Sequence, residues 1–150
     1  MLGKLAKKLR LLGFDAFYSS SIADNKIISM AKNEKRILLT RDRVLAQLAQ
    51  KIEIKTVTIS DTDELEQFSQ IKEKVSFDGF VINGNISRCT NCNGKLLQIK
   101  NEKTIGRVPD GVTKNFKEFW ECEECKKIYW EGTHIKNLQK FVIELNEKLS

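Results

Sequence analysis

The chain has 150 residues, of which 41% are hydrophobic and 31% charged. That is enough apolar material for one ordinary domain, or a modest domain with a small appendage, and it excludes wholesale disorder. No apolar run exceeds three residues, far short of the ~18 that a membrane span needs, so the expectation is a soluble protein with no membrane partner. Lys and Arg number 26 against 20 for Asp and Glu, a formal net charge of +6. A positive field of that size favours polyanionic partners, nucleic acid first. The excess is spread out: residues 1–86 carry 14 basic and 11 acidic side chains, and residues 87–150 carry 12 and 9.

The N-terminus is basic and apolar by turns. On a helical wheel Leu2, Leu5, Ala6, Leu9 and Leu12 share one face, and Lys4, Lys7, Lys8 and Arg10 take the other. Gly13 then ends the helix. There is no small-residue cleavage site and no Ser-rich stretch, so the segment reads as a helix of the domain rather than a targeting peptide. Its basic face, through Lys4, Lys7 and Lys8, is suited to phosphates.

From Gly13 the segments alternate in type. Phe14 to Ser19 reads as a strand, and Asn25 to Lys35 as a helix with Ile27, Ile28, Met30 and Ala31 inward. Arg36 to Thr40 (RILLT) has the continuous apolar pattern of a strand buried on both faces. A short helix over Val44 to Gln50, a strand over Ile54 to Ile59 and a helix over Asp63 to Val75 follow. This alternation predicts βαβ units and a mostly parallel sheet. Past Asp78 glycines and cysteines begin, and the helical pattern lapses until the last 15 or so residues. The expected division falls near 84–87: an α/β domain over 1–84, then a small cysteine-bearing domain with a C-terminal helix over 85–150.

All four cysteines lie in the second half, as Cys89-x2-Cys92 and Cys122-x2-Cys125. Two such knuckles are the pattern that sets four thiolates around structural Zn²⁺. A thioredoxin-like motif would sit between a strand and a long helix, and neither pair does. A disulfide framework needs a secreted chain, and no signal peptide is visible; reduced cysteines and absent targeting signals place the protein in the cytoplasm. Phe119-Trp120 and Ile128-Tyr129-Trp130, flanking the second pair, read as two strands of the ribbon. A closed four-thiolate site leaves no open coordination position, so any chemistry must lie elsewhere.

The acids after the strands offer it. Asp42 follows RILLT, Asp61 follows the 54–59 strand, and Asp24 lies a few residues past Ser19. In a parallel sheet the C-terminal strand ends share one edge, where ligands bind. Carboxylates gathered there in a basic protein suggest Mg²⁺ or Mn²⁺. The competing reading makes each aspartate the N-cap of the next helix, and Asp61-Thr62-Asp63-Glu64 has capping-box spacing; Asp63 is the fallback ligand for Asp61.

Met1 to Ala6 (MLGKLA), Leu9 to Asp15 (LRLLGFD), Arg36 to Arg43 (RILLTRDR), the two knuckles, Ile128-Tyr129-Trp130 and Gly132-Thr133-His134 occur in an order that resembles the Mut-seven C-terminal RNase domain family. The resemblance spans nearly the whole chain. It implies a PIN-like three-layer α/β/α parallel sheet followed by a zinc ribbon, and metal-dependent cleavage of RNA. The catalytic carboxylates it implies are Asp42, Asp24 and, by a weaker match, Asp61. Members usually open with a short strand ending in an aspartate before the MLGKLA helix, and the sequence starts at Met1, past that place. Either the true start lies upstream of Met1, or that strand and its carboxylate are lacking, and in the second case the alternative is a non-catalytic RNA-binding module of the same fold. Arg41 and Arg43, with Lys126 and Lys127 beside the second knuckle, are the further candidate RNA contacts. Trp120, Tyr129 and Trp130 are candidates for base stacking or for packing of the ribbon. His134, the only histidine, has no assigned role.

Overall fold

A computed structural model describes residues 2–60, 62–76 and 79–149. It is a mixed α/β chain with a small parallel sheet, a second, antiparallel sheet and a four-cysteine cluster consistent with a zinc ribbon. Contacts divide it into two compact units. One holds the described residues of 1–4 and 18–78, with Leu149; the other holds Leu5–Phe17 and Gly79–Lys148.

In the first unit, α2 (Asp24–Asn33), β1 (Leu38–Thr40), α3 (Arg43–Lys51), β2 (Thr56–Thr58) and α4 (Glu64–Lys74) follow in order. β1 and β2 pair in parallel, Leu38 opposite Thr56 and Thr40 opposite Thr58. Ala31, Leu38, Leu45, Ala49 and Ile54 form one buried cluster, with Ile27 and Ile28 packed against it. Phe68 and Ile71 of α4 are buried as well.

Backbone geometry explains how the helices hand over to the strands. α2 ends with Lys35 at φ 54°, and α3 with Glu53 at φ 62°. In each case the next residue's N–H reaches back to the last helical turn, Arg36 to the Ala31 carbonyl at 2.8 Å and Ile54 to the Ala49 carbonyl at 3.0 Å. This is the left-handed helix stop usually given to glycine. Here Lys and Glu adopt it, and the chain turns directly into β1 and β2.

α1 (Gly3–Leu11), which belongs to the second unit from Leu5 onward, ends the same way at Gly13, with Phe14 N–H on the Leu9 carbonyl at 3.0 Å. The ribbon is the antiparallel sheet β3 (Leu96–Ile99), β4 (Phe119–Cys122), β5 (Ile128–Tyr129). Alternation along β4 splits the core into two faces. Trp120 and Cys122 join Cys89 and Leu96 on one. Phe119 joins Val108 and Ile128 on the other, where the 3-10 turn Asn101–Thr104 and the short helix α5 (Asp110–Asn115) lie between β3 and β4. α6 (Thr133–Leu149) closes the chain and buries Leu138, Val142 and Leu145.

One expected strand is absent. Among the described residues, Phe14 to Ser19 pairs with no other strand. Within it the backbone of Ala16 is taken by side chains instead: its N–H donates to Asn93 Oδ1 at 3.2 Å, and its carbonyl accepts from Arg10 Nε at 2.9 Å. Backbone groups satisfied by side chains in this way need no ladder partner.

Candidate metal centre and acidic edge

The two cysteine knuckles are built alike. The residue after the second cysteine, Asn93 or Lys126, has a positive φ of 69° or 68°. That twist lets its N–H return to the first cysteine's carbonyl, Asn93 to Cys89 at 2.8 Å and Lys126 to Cys122 at 3.1 Å. The first cysteine's N–H then donates one residue further on, Cys89 to the Gly94 carbonyl at 2.8 Å and Cys122 to the Lys127 carbonyl at 2.9 Å. Two identical turns thus present four sulfurs to one point.

Their Sγ atoms all lie within 4.8 Å of one another. Across the knuckles Cys89 Sγ lies 3.6 Å from Cys125 Sγ, and Cys92 Sγ lies 3.4 Å from Cys122 Sγ. Sulfurs bound tetrahedrally at ~2.3 Å from zinc stand ~3.8 Å apart. The donor set therefore fits Zn²⁺. Gly94 makes room for it: a Cβ there would stand 2.7 Å from Cys122 Sγ and 3.2 Å from Cys92 Sγ. Around the sulfurs, the Tyr129 hydroxyl lies 3.0 Å from Cys89 Sγ and accepts from the Thr90 N–H at 3.1 Å. Cys92 and Cys125 differ in how firmly they hold the proton. The Lys127 backbone N–H draws Cys125 down to about 6, whereas loss of water among its neighbours pushes Cys92 up to about 12. Tyr129 is raised by burial and by the adjacent Cys89.

The acidic edge belongs to the first unit. Parallel pairing puts the C-terminal ends of β1 and β2 side by side, and the Ile59 N–H on the Thr40 carbonyl at 2.8 Å extends the pairing past Thr58. Asp42 leaves this edge directly after Thr40 and Arg41. It caps α3, its Oδ1 accepting from the Val44 and Leu45 N–H groups at 2.9 and 3.1 Å, while its own N–H donates to Thr40 Oγ1 at 3.0 Å. Both capping bonds fall on one oxygen, and among the described residues nothing binds Oδ2. Asp24 is the exposed first residue of α2, whose N-cap is Ala23, so it does not cap that helix. Asp61 lies outside the described residues. The cap of α4 is Asp63, which accepts from the Leu65 N–H at 2.8 Å.

The cationic candidates have mixed surroundings. Lys4 and Lys7 are exposed on α1, whereas Lys8 places its ammonium 4.1 Å from the centroid of the Phe141 ring. Arg41 and Arg43 flank Asp42 and are exposed. Lys126 Nζ donates to the Glu123 carbonyl at 2.9 Å, and Lys127 sits 5.1 Å over the Tyr129 ring. Trp120 is buried, its indole N–H donating to Asn85 Oδ1 at 3.1 Å, so it is core rather than a stacking platform. His134 is exposed in the first turn of α6. The wheel misplaced Arg10: it is only 7% exposed, not on the basic face.

The sequence matches the family described as the Mut7-C RNAse domain over residues 1–142. The chain belongs to that family. No curated protein and no solved structure matches it. As a Mut7-C RNase domain, it carries a family description that points to RNA as substrate and to RNase-related function. Among the described residues, the four cysteines are the one group of three or more ligating side chains able to hold a metal, and no helix is long and apolar enough to cross a membrane.

Proposed function

We propose that this Mut7-C chain is a Mg²⁺- or Mn²⁺-dependent ribonuclease of the cytoplasm whose chemistry resides at the C-terminal edge of the β1–β2 sheet. The observation that carries the reading is the position of Asp42, in the turn leaving the shared end of two parallel strands, within a chain of an RNase family. Ligands bind at such edges because helix N-termini and strand ends converge there. Asp24 supports it. It opens α2, whose Ala31 shares a buried cluster with Leu38 of β1, and it does not cap its own helix. Asp61 follows β2 in sequence and completes the set, with Asp63 beside it.

These carboxylates would hold the cation, which when bound supplies activation of water and neutralisation of phosphodiester charge. Asp42 can serve both as cap and as ligand, since capping uses Oδ1 alone. Arg41 and Arg43 set guanidinium charge on either side of it, suited to bidentate contact with phosphate. Lys4, Lys7, Lys126 and Lys127 add sequence-independent backbone attraction. The zinc centre is structural under this reading, because four thiolates leave no open position.

A second reading, a non-catalytic RNA-binding module, is favoured by one fact: the Asp42 carboxylate already has a structural duty as the α3 cap. Cleavage of labelled single-stranded RNA separates the two. The nuclease reading expects cutting with Mn²⁺, none with EDTA, and none in Asp42→Asn. RNA binding that weakens with salt, survives Asp42→Asn and leads to no cutting under any metal would establish the second reading instead.

A further inference from the structure

Arg10 is a buried cation whose partners are all carbonyls. Its Nε donates to the Ala16 carbonyl at 2.9 Å and its Nη1 to the Thr90 carbonyl at 2.8 Å. No carboxylate among the described residues pairs with it. A guanidinium taken out of water is costly unless opposite charge lies near. Thr90, which it grips, is the residue directly after Cys89, inside the first knuckle. Four thiolates around a divalent zinc carry about two negative charges net. The charge that Arg10 lacks in its direct partners is the charge of the loaded centre.

A second set of bonds ties the same segment to the same knuckle. Asn93, held at positive φ after Cys92, donates from Nδ2 to Asp15 Oδ1 at 2.7 Å and accepts from the Ala16 N–H at 3.2 Å. Arg88, just ahead of Cys89, donates its N–H to the Arg10 carbonyl at 2.7 Å and its Nη1 to the Asn93 carbonyl at 3.0 Å. The end of α1 and the turn that follows are thus fastened to the loop that carries Cys89 and Cys92.

We infer that Arg10 is the counter-charge of the four-thiolate centre, and that zinc loading and the seating of residues 5–17 on the ribbon are one coupled event. Arg10 acts as a positioning residue, through the Thr90 carbonyl and through its field. Residues Lys7 and Lys8 ride on the coupled helix, so metal loading also fixes where that cationic face is presented. The inference rests on zinc as the ion held by the thiolates and does not depend on the nuclease reading.

The test uses the full chain, zinc-loaded and then stripped by a chelator under reducing conditions, followed by amide hydrogen exchange. Zinc removal is expected to speed exchange in residues 5–17 at least tenfold, together with the knuckles, and to leave Ala49 and Val57 of the first unit unchanged. In parallel, Arg10→Met should release zinc to a chromogenic chelator at least tenfold faster than the parent, on the scale of lost outer-shell contacts. Arg10→Lys, which keeps the charge and loses the fork, should fall between. Protection of residues 5–17 that survives zinc removal overturns the coupling. Zinc release from folded Arg10→Met at the parent's rate overturns the counter-charge role. If Arg10→Met does not fold, exchange in the unsubstituted chain decides; a chain that binds no zinc at all also overturns the inference, whatever its nuclease activity.

Discussion

Gly94→Ala is the sharpest test of the metal centre. The added Cβ would stand 2.7 Å from Cys122 Sγ, 3.0 Å from Glu124 Cγ and 3.2 Å from Cys92 Sγ, where ordinary contact begins at 3.4 Å. Relieving the closest clash asks Cys122 to retreat by roughly 0.7 Å, while a metal–ligand distance tolerates only about 0.2 Å. Cys122 cannot give way easily, being fully buried and paired across β3 and β5 through its strand. The substitution should therefore weaken zinc binding by ~10–100-fold, the range seen when the surroundings of ligands are disturbed, or ~1.4–2.8 kcal/mol. Competition against a chromogenic chelator reads this directly, with Gly111→Ala as the control because nothing lies within 4 Å of its Cβ position. Zinc affinity in Gly94→Ala equal to that of the control would refute the four-thiolate geometry.

Other substitutions test neighbouring parts. Asp42→Ala removes the α3 cap and should cost ~0.5–2 kcal/mol in denaturant unfolding, while Asp42→Asn, which caps equally well, should cost little. Equal stability of the two variants would contradict the cap. Gly84→Ala would drive a Cβ to 2.2 Å from Trp120 Cε2, and Trp120 is enclosed, so overpacking should cost ~1–3 kcal/mol in the second unit. Both tryptophans lie in that unit, and their fluorescence through a urea titration measures the loss. Asn146→Ala deletes two hydrogen bonds of 2.9 Å to the Phe80 N–H and carbonyl and should lower the same transition by ~1–3 kcal/mol; an unchanged midpoint would show that water replaces the amide.

Local patterns were the readable part of this sequence. RILLT and IKTVTI carry their apolar runs within five or six residues, and both strands form there, flanked by the helices that the apolar spacing predicts. The knuckles were equally legible, since thiolate spacing is itself the geometric requirement. What escaped notice depends on partners far along the chain. Phe14 to Ser19 looks like a strand until Asn93, 77 residues away from Ala16, takes its backbone. Arg10 sits by angle among the lysines of α1, yet Thr90, 80 residues distant, draws it inward. β3 was missed because Leu97 faces out while Leu96 faces in, and four residues of that kind give no distinctive period. At the acidic edge, spacing alone left cap and ligand open for each aspartate. The structure makes Asp42 a cap and shows that Asp24 is not one, without thereby assigning either to a metal.

The proposed division of labour, structure at the four cysteines and cleavage at Asp42, is tested by one paired measurement: single-turnover cleavage of RNA in Mn²⁺ by the parent chain and Asp42→Asn, with zinc content determined on the same samples. Both proteins should hold one zinc per chain, and only the parent should cut. Cleavage by Asp42→Asn at the parent's rate, or cleavage that rises and falls with zinc content rather than with Asp42, would contradict it.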